Sequence, residues 1–276
     1  KKECLGMVKS KWTKLLPLLS VALVAVAGYF LYGILKNVNW DEVMNYLRSL
    51  STPILLILLA ITAGIYFILS LYDYISFKTL LKEKAPPLKI VSPSAIVSYA
   101  FNFNLGAIIG GLGFRMRIYS GWGILPKTVP VAALLSVVTT WVGYTFVLSL
   151  TLIFGDMPER AQNFLPSFAP WALGLLGMGL IGSYLFASAK KMAFTIKSAH
   201  FIVPKLKFAF IQIGISSLQW ILAASVLYIL LDHFGAGVPW IHVLFTYLLA
   251  SIGGVVARIP AGVGVIEAIF LKTLPE

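Results

Sequence analysis

Five long apolar stretches alternate with short polar loops along the chain: Leu15 to Leu35, Pro53 to Leu81, Val129 to Phe154, Trp171 to Ala189, and Phe208 to Leu231. Each reaches the roughly 20 residues a helix needs to cross a hydrocarbon core of about 30 Å, and each is predicted as a transmembrane helix. Two further apolar stretches break before they could finish a crossing. The first, about residues 93–126, runs from Tyr99 through Asn102 and Asn104 to a glycine cluster, Gly110, Gly111 and Gly113, followed by Arg115 and Arg117. The second, about residues 240–272, runs from Tyr247 past Arg258 to Pro260, Gly262 and Gly264 and on to Glu267. Those five glycines and one proline are the expected breaks or hinges. Broken helices in corresponding positions are the best sequence pointer to a transport site.

Three full spans separate the two broken elements, so the second enters from the opposite face, and inverted repeats are expected. Tyr99 aligns with Tyr247, and Gly111-Leu112-Gly113 with Gly262-Val263-Gly264. A glycine-softened but complete membrane helix is the alternative for the first element. Between the first two spans, Asn37 to Ser51 reads as a short surface helix, with Asp41 and Glu42 in its first turn and Trp40, Val43, Met44 and Leu47 on one apolar face.

Composition fixes the solvent. The chain is 59% hydrophobic and 12% charged, with a mean hydropathy of +0.90, far from a water-soluble domain. The fold class is therefore an all-α polytopic membrane protein, a helical bundle with two re-entrant or broken helices, organised as a single transmembrane domain over residues 1–276. The net charge of +12 does not indicate a nucleic-acid partner, because the basic residues are distributed by loop. Lys1, Lys2, Lys9, Lys11 and Lys14 precede the first span, Lys78, Lys82, Lys84 and Lys89 follow the second, Arg115, Arg117 and Lys127 flank the first break, and five more lie between Lys190 and Lys207. The intervening loops carry Asp41 and Glu42, Asp156 and Glu159, and Asp232. Positive loops stay cytoplasmic, which orients the N-terminus inside and requires the first broken element to dip in and return. Non-helical backbone at membrane depth then implies a protein-lined or watery cavity. The opening basic segment with Ala25-Val26-Ala27 resembles a signal peptide, but the apolar run continues to Leu35 and suits an uncleaved helix. The single cysteine, Cys4, permits no disulfide framework.

Intramembrane charge is the scarcest candidate chemistry. Arg258 and Glu267 flank the second break, either as a salt bridge that holds it shut or as a phosphate contact and its sensor. Arg115 and Arg117 follow the first glycine cluster, where an arginine fork beside free backbone N–H groups can hold a phosphate; they also read simply as positive-inside residues. Asn102 and Asn104 are candidate substrate contacts in the same element. Asp73, near the end of its span, is read as interfacial, and Thr139, Thr140, Ser216, Ser217 and Gln219 as interhelical hydrogen bonds. His200, His233 and His242 have no metal-ligand spacing, and no phosphate-cradling loop occurs. No catalytic residue, metal or cofactor is expected.

The run Tyr99 to Asn104, then Gly110 to Ser120, together with Ile259 to Glu267, resembles the transmembrane family of lysylphosphatidylglycerol synthase/flippase proteins, most closely its stand-alone bacterial inner-membrane members lacking the soluble synthase domain. The resemblance also covers Thr140 to Tyr144 and Ser216 to Trp220. It implies a lipid-translocating cavity and movement of an anionic or aminoacylated phospholipid between leaflets of the bacterial inner membrane. Arg115 and Arg117 match the family's arginine pair, and Pro260, Gly262, Gly264 and Glu267 its proline-glycine-glutamate motif. Ala261 departs from a common second glycine. The missing initiator methionine and the stop at Glu276 suggest a trimmed chain with a truncated C-terminus. A small-anion or solute carrier and a non-transporting assembly factor are the alternatives. Membrane phospholipid is the expected partner, with a second copy of the chain and a lipid-synthesising enzyme as further candidates.

Overall fold

The computed structural model describes Lys36 and residues 39–105, 111–162, 166–196, 199–257 and 264–274. The expected first span, Leu15 to Leu35, lies outside them. Contacts divide the chain into residues 1–50 and residues 51–276. In the first unit, helix α1 (Trp40–Ser49) begins where the Asn39 side chain accepts the Glu42 N–H at 3.3 Å. Asp41 and Glu42 complement its N-terminal dipole and Arg48 its C-terminal one. None of its residues is buried, as the amphipathic surface reading expects.

The second unit is a helical membrane bundle. Four of its helices are long and apolar enough to cross a bilayer: α2 (Thr52–Leu81), α5 (Thr128–Phe154), α7 (Ala169–Ala189) and α8 (Leu206–His233). The expected spans begin within two residues of these. Between α2 and α5 lie α3 (Leu88–Leu105) and α4 (Phe114–Gly121), and a short α6 (Glu159–Gln162) precedes α7. After α8 come α9 (Trp240–Ala257) and α10 (Val265–Thr273). The loop after α7, read from sequence only as a basic, topology-fixing segment, carries one short element. Strands β1 (Ala193–Ile196) and β2 (Ala199–Ile202) pair antiparallel there, Phe194 opposite Phe201 and Thr195 opposite His200. Alternating aromatic and β-branched residues favour that pairing.

Lipid is as apolar as leucine, so close backbone approach, not water exclusion, holds such helices together. Gly174 and Gly177 of α7 lie against Ile153 and Ser149 of α5, and Gly143 of α5 lies against Ser216 of α8. These pairings run α7 antiparallel and α8 parallel to α5. The polar groups expected to tie helices do so. Gln212 donates to the Thr139 hydroxyl at 2.6 Å and accepts from Tyr184 at 2.6 Å, Ser216 and Trp220 both donate to the Thr140 carbonyl at 3.1 Å, and Tyr72 donates to Gln219 at 3.4 Å. Ser217 is the exception, its buried hydroxyl having no partner. Leu175, Leu176 and Leu180 of α7 point outward, as a lipid-facing surface requires.

Both broken elements are helical hairpins. Phe114 of α4 stacks on Phe101 of α3 with centroids 3.9 Å apart, and the Arg115 guanidinium lies over the Tyr99 ring at 4.3 Å. Later residues of α4 therefore meet earlier residues of α3. In the second hairpin, Thr246 and Thr273 hydroxyls lie 3.1 Å apart, and Gly253 leaves room for Ile269 and Val265. Since α9 runs antiparallel to α5, with the Tyr144 hydroxyl donating to the Leu248 carbonyl at 2.9 Å, the hairpins enter from opposite ends of the bundle. The α3–α4 hairpin enters from the end bearing Lys82, Lys84 and Lys127, and the α9–α10 hairpin from the end bearing Asp156 and Asp232.

Candidate functional site

Asp73 is the centre of the best-defined polar site. Far from interfacial, it is 1% exposed. Its Oδ2 accepts from Arg115 Nε at 2.9 Å and from the Tyr119 hydroxyl at 2.8 Å, and its Oδ1 accepts from Arg115 Nη2 at 3.2 Å and from the Ser136 hydroxyl at 2.8 Å. Ser76 lies 3.1 Å from the Ser136 hydroxyl. Arg115 also donates through Nη1 to the Gly111 carbonyl at 3.3 Å. Every lone-pair direction of the carboxylate is thus used by α4 or α5. The network ties the hairpin's second arm to both spans that flank it.

Local sequence explains why α4 can do this. Arg115 and Tyr119 are four apart and share one face, which α4 turns toward α2 and α5. The three residues before it, 111–113, form a π-type turn, a feature that often marks functional sites. Gly111 is needed there, because a β-carbon would collide with the Asn102 side chain of α3. Tyr119 also packs edge-on against Phe77 at 4.8 Å.

The Arg115 guanidinium fork is spent on Asp73, and the two arginines do not converge. Arg115 and Arg117 are two positions apart on a helix and face different ways: Arg115 is buried against Asp73, while Arg117 is exposed. Arg117 instead lines an open groove of about 530 Å³ with Val97, Phe114, Ile118, Gly121 and Trp122. Trp122, 60% exposed at the basic end, suits the headgroup level where tryptophan concentrates. Asn102 is half-buried beside Gly111, and the Asn104 side chain lies outside the described residues, as do Gly110, Arg258, Pro260 and Gly262.

At the second break, Glu267 has a local partner. Its Oε2 accepts the Gly264 N–H at 2.6 Å, capping α10, and Gly264 holds the left-handed conformation at φ +83° that glycine tolerates best. Glu267→Ala should cost about 1 kcal/mol by removing this cap, read as a small fall in thermal midpoint. An unchanged midpoint would show the cap to be dispensable. Sequence reasoning singled out the charges at both breaks but missed Asp73 as Arg115's partner. The available signal was that Asp73 is the only acidic residue in the run from Pro53 to Leu81.

Among the described residues no group of His, Cys, Asp and Glu could hold a metal ion. The arrangement offers a buried charge network that fixes a broken helix, and beside it an open, largely apolar groove with one cation.

Comparison with known proteins adds the family. Residues 18–274 match the lysylphosphatidylglycerol synthase TM region. The chain is 31% identical to the inner membrane protein YbhN of Escherichia coli, covering 87% of this chain and 74% of that protein. It is 28% identical to the Synechocystis protein slr0712, again covering 74% of the relative. The phosphatidylglycerol lysyltransferase of Bacillus subtilis is 25% identical over 88% of this chain but only 28% of its own length, so the match is confined to a part of that longer protein. A polytopic bundle with both glycine-rich breaks, matched over nearly its whole length, belongs to the lysylphosphatidylglycerol synthase transmembrane family.

Proposed function

We propose that this chain is a non-enzymatic phospholipid flippase of the bacterial inner membrane, with its basic end and N-terminus cytoplasmic. The observation that carries the reading is the open groove beside the α3–α4 hairpin, where Arg117 stands among apolar walls. A phosphate needs a cation, and acyl tails need an apolar surface; this groove offers both. A carrier of a water-soluble anion requires a closed aqueous path, and an open, largely apolar groove favours the lipid. The relation to a phosphatidylglycerol lysyltransferase supports an anionic or aminoacylated phospholipid as substrate.

In this reading Arg117 captures the phosphate at the cytoplasmic side, with Asn102 and Asn104 nearby in the hairpin. Arg115 acts through Asp73 as a positioning residue that keeps the hairpin seated. Arg258 supplies the corresponding contact toward the other leaflet, and the two hairpins act as inverted repeats hinged at their glycines and proline. Glu267 keeps α10 capped beside that contact.

The test is lipid translocation by the full chain in proteoliposomes, using headgroup-defined fluorescent phospholipids and an impermeant quencher. Arg117→Ala should reduce the rate at least tenfold while leaving thermal stability unchanged, since exposed charge contributes little to the fold. Full activity in this variant would remove Arg117 from the pathway. No movement of anionic, zwitterionic or aminoacylated lipid by folded protein would overturn the flippase reading.

A further inference from the structure

A second groove, of about 420 Å³, lies between α5, α8 and α9 at the opposite, acidic end of the bundle. Its walls are Phe146, Leu150, Phe154, Ile221, Ile241 and Leu244, and the small Ser217 lies at its inner end. Phe154 is 79% exposed, so this wall faces the surroundings of the bundle and not its interior. The nine residues from Phe146 to Phe154 along α5 span about 12 Å, most of the ~15 Å that one leaflet contributes to the hydrocarbon core. The groove therefore runs inward from the bundle's acidic end along α5, parallel to the spanning helices.

Its mouth is polar and of one sign. Asp156 follows α5 directly and its side chain is 80% exposed. His242 Nε2 stands 3.6 Å from the carboxylate without covering it. A carboxylate at headgroup level above an apolar slot complements an amphiphile with a positive head, just as Arg117 complements a negative one at the basic end.

We propose that this groove binds one acyl chain of a phospholipid whose headgroup carries a primary ammonium, the ammonium resting on Asp156. The site needs only the membrane setting of the bundle and stands whether or not the chain moves lipid. A lipid chain is the fitting occupant because the slot is apolar, open on its outer side and about 12 Å long, most of one leaflet's depth. A partner helix would have to bring a cation to the same place.

Full-length chain in liposomes would be irradiated with trace phosphatidylethanolamine, and separately phosphatidylglycerol, each carrying a diazirine on one acyl chain, and the labelled peptides mapped. The ethanolamine probe should label residues 146–156 and 217–221 several-fold more than the lipid-facing stretch of α7 around Leu175, Leu176 and Leu180. Asp156→Asn, at an exposed position, should lower the groove's labelling by the ethanolamine probe several-fold and leave that by the glycerol probe unchanged. Equal labelling of groove and α7, or a groove shielded from both probes by a protein partner, would overturn the site. Labelling that ignores Asp156→Asn would overturn the ammonium contact.

Discussion

Asp73→Asn is expected to lower the stability of the folded chain by about 3–5 kcal/mol, the cost of leaving a buried charge without its partner. Arg115 is 6% exposed and reaches no other carboxylate in the network, so asparagine would leave a guanidinium inside the bundle with only the Gly111 carbonyl and the Tyr99 ring beside it. Removing the other partner by Arg115→Gln should cost a similar amount, because the carboxylate would then be the stranded charge. The double variant Asp73→Asn/Arg115→Gln should lose clearly less than the two single losses combined, since neither charge remains. Arg115→Lys should fall between, because an ammonium cannot donate to both carboxylate oxygens in the parallel manner of the guanidinium. Thermal unfolding in detergent, read with size-exclusion profiles, measures all four. Additive single effects would mean that the pair is not coupled and that each residue is held by other contacts.

Gly143→Leu is expected to have a comparable effect for a different reason. A β-carbon at Gly143 would meet the Ser216 side chain and come within 2.6 Å of the Ser216 backbone carbonyl carbon. The obstacle is backbone, so no rotamer change relieves it, and α5 and α8 must separate. Overpacking of this kind costs about 1–3 kcal/mol even for modest volume, and Gly143→Ala alone should reach that range. Separation would also break the bonds from Ser216 and Trp220 to the Thr140 carbonyl and from Gln212 to Thr139, which lie on the same interface. Gly179→Ala and Gly182→Ala in α7 are the controls: no heavy atom lies within 4 Å of a β-carbon there, so their midpoints should match the parent chain. A midpoint for Gly143→Ala equal to these controls would show that the two helices are not as close as described.

Most of the architecture was legible because the bilayer imposes a length. Runs of apolar residues from Pro53 to Leu81 and from Phe208 to Leu231 can do little else than cross, and glycine clusters mark where the backbone leaves the helix. The reading of Asp73 missed its burial. It lies eight residues before the end of a 30-residue helix, a level that length alone does not distinguish from the interface. What buries it is the packing of α4 and α5 side chains over it, Arg115, Tyr119 and Ser136. Its partner is 42 residues away in sequence, and no local pattern announces a pairing at that distance. The two arginines were read as capturing one phosphate together because they are near in sequence, whereas helical geometry sends Arg115 and Arg117 to different faces. The β1–β2 hairpin went unseen because the lysines around it drew attention to topology, although Phe194, Thr195, Ile196, Phe201 and Ile202 carry strand preference.

The separation between Asp73 and Arg115 has a consequence for how the protein is made. At a synthesis rate of roughly 5–20 residues per second, the ribosome needs about 2–8 s to add the 42 residues between them. During that interval α2 presents a carboxylate without the Arg115 partner, at a cost below the roughly 2.5–3.5 kcal/mol of a helix centre, because Asp73 lies eight residues from the helix end. The rest of α2 is apolar enough to enter despite that cost, but the helix cannot settle in its final depth and rotation until α4 arrives. The first hairpin is therefore a late clasp in biogenesis, closing a span that entered the membrane seconds earlier.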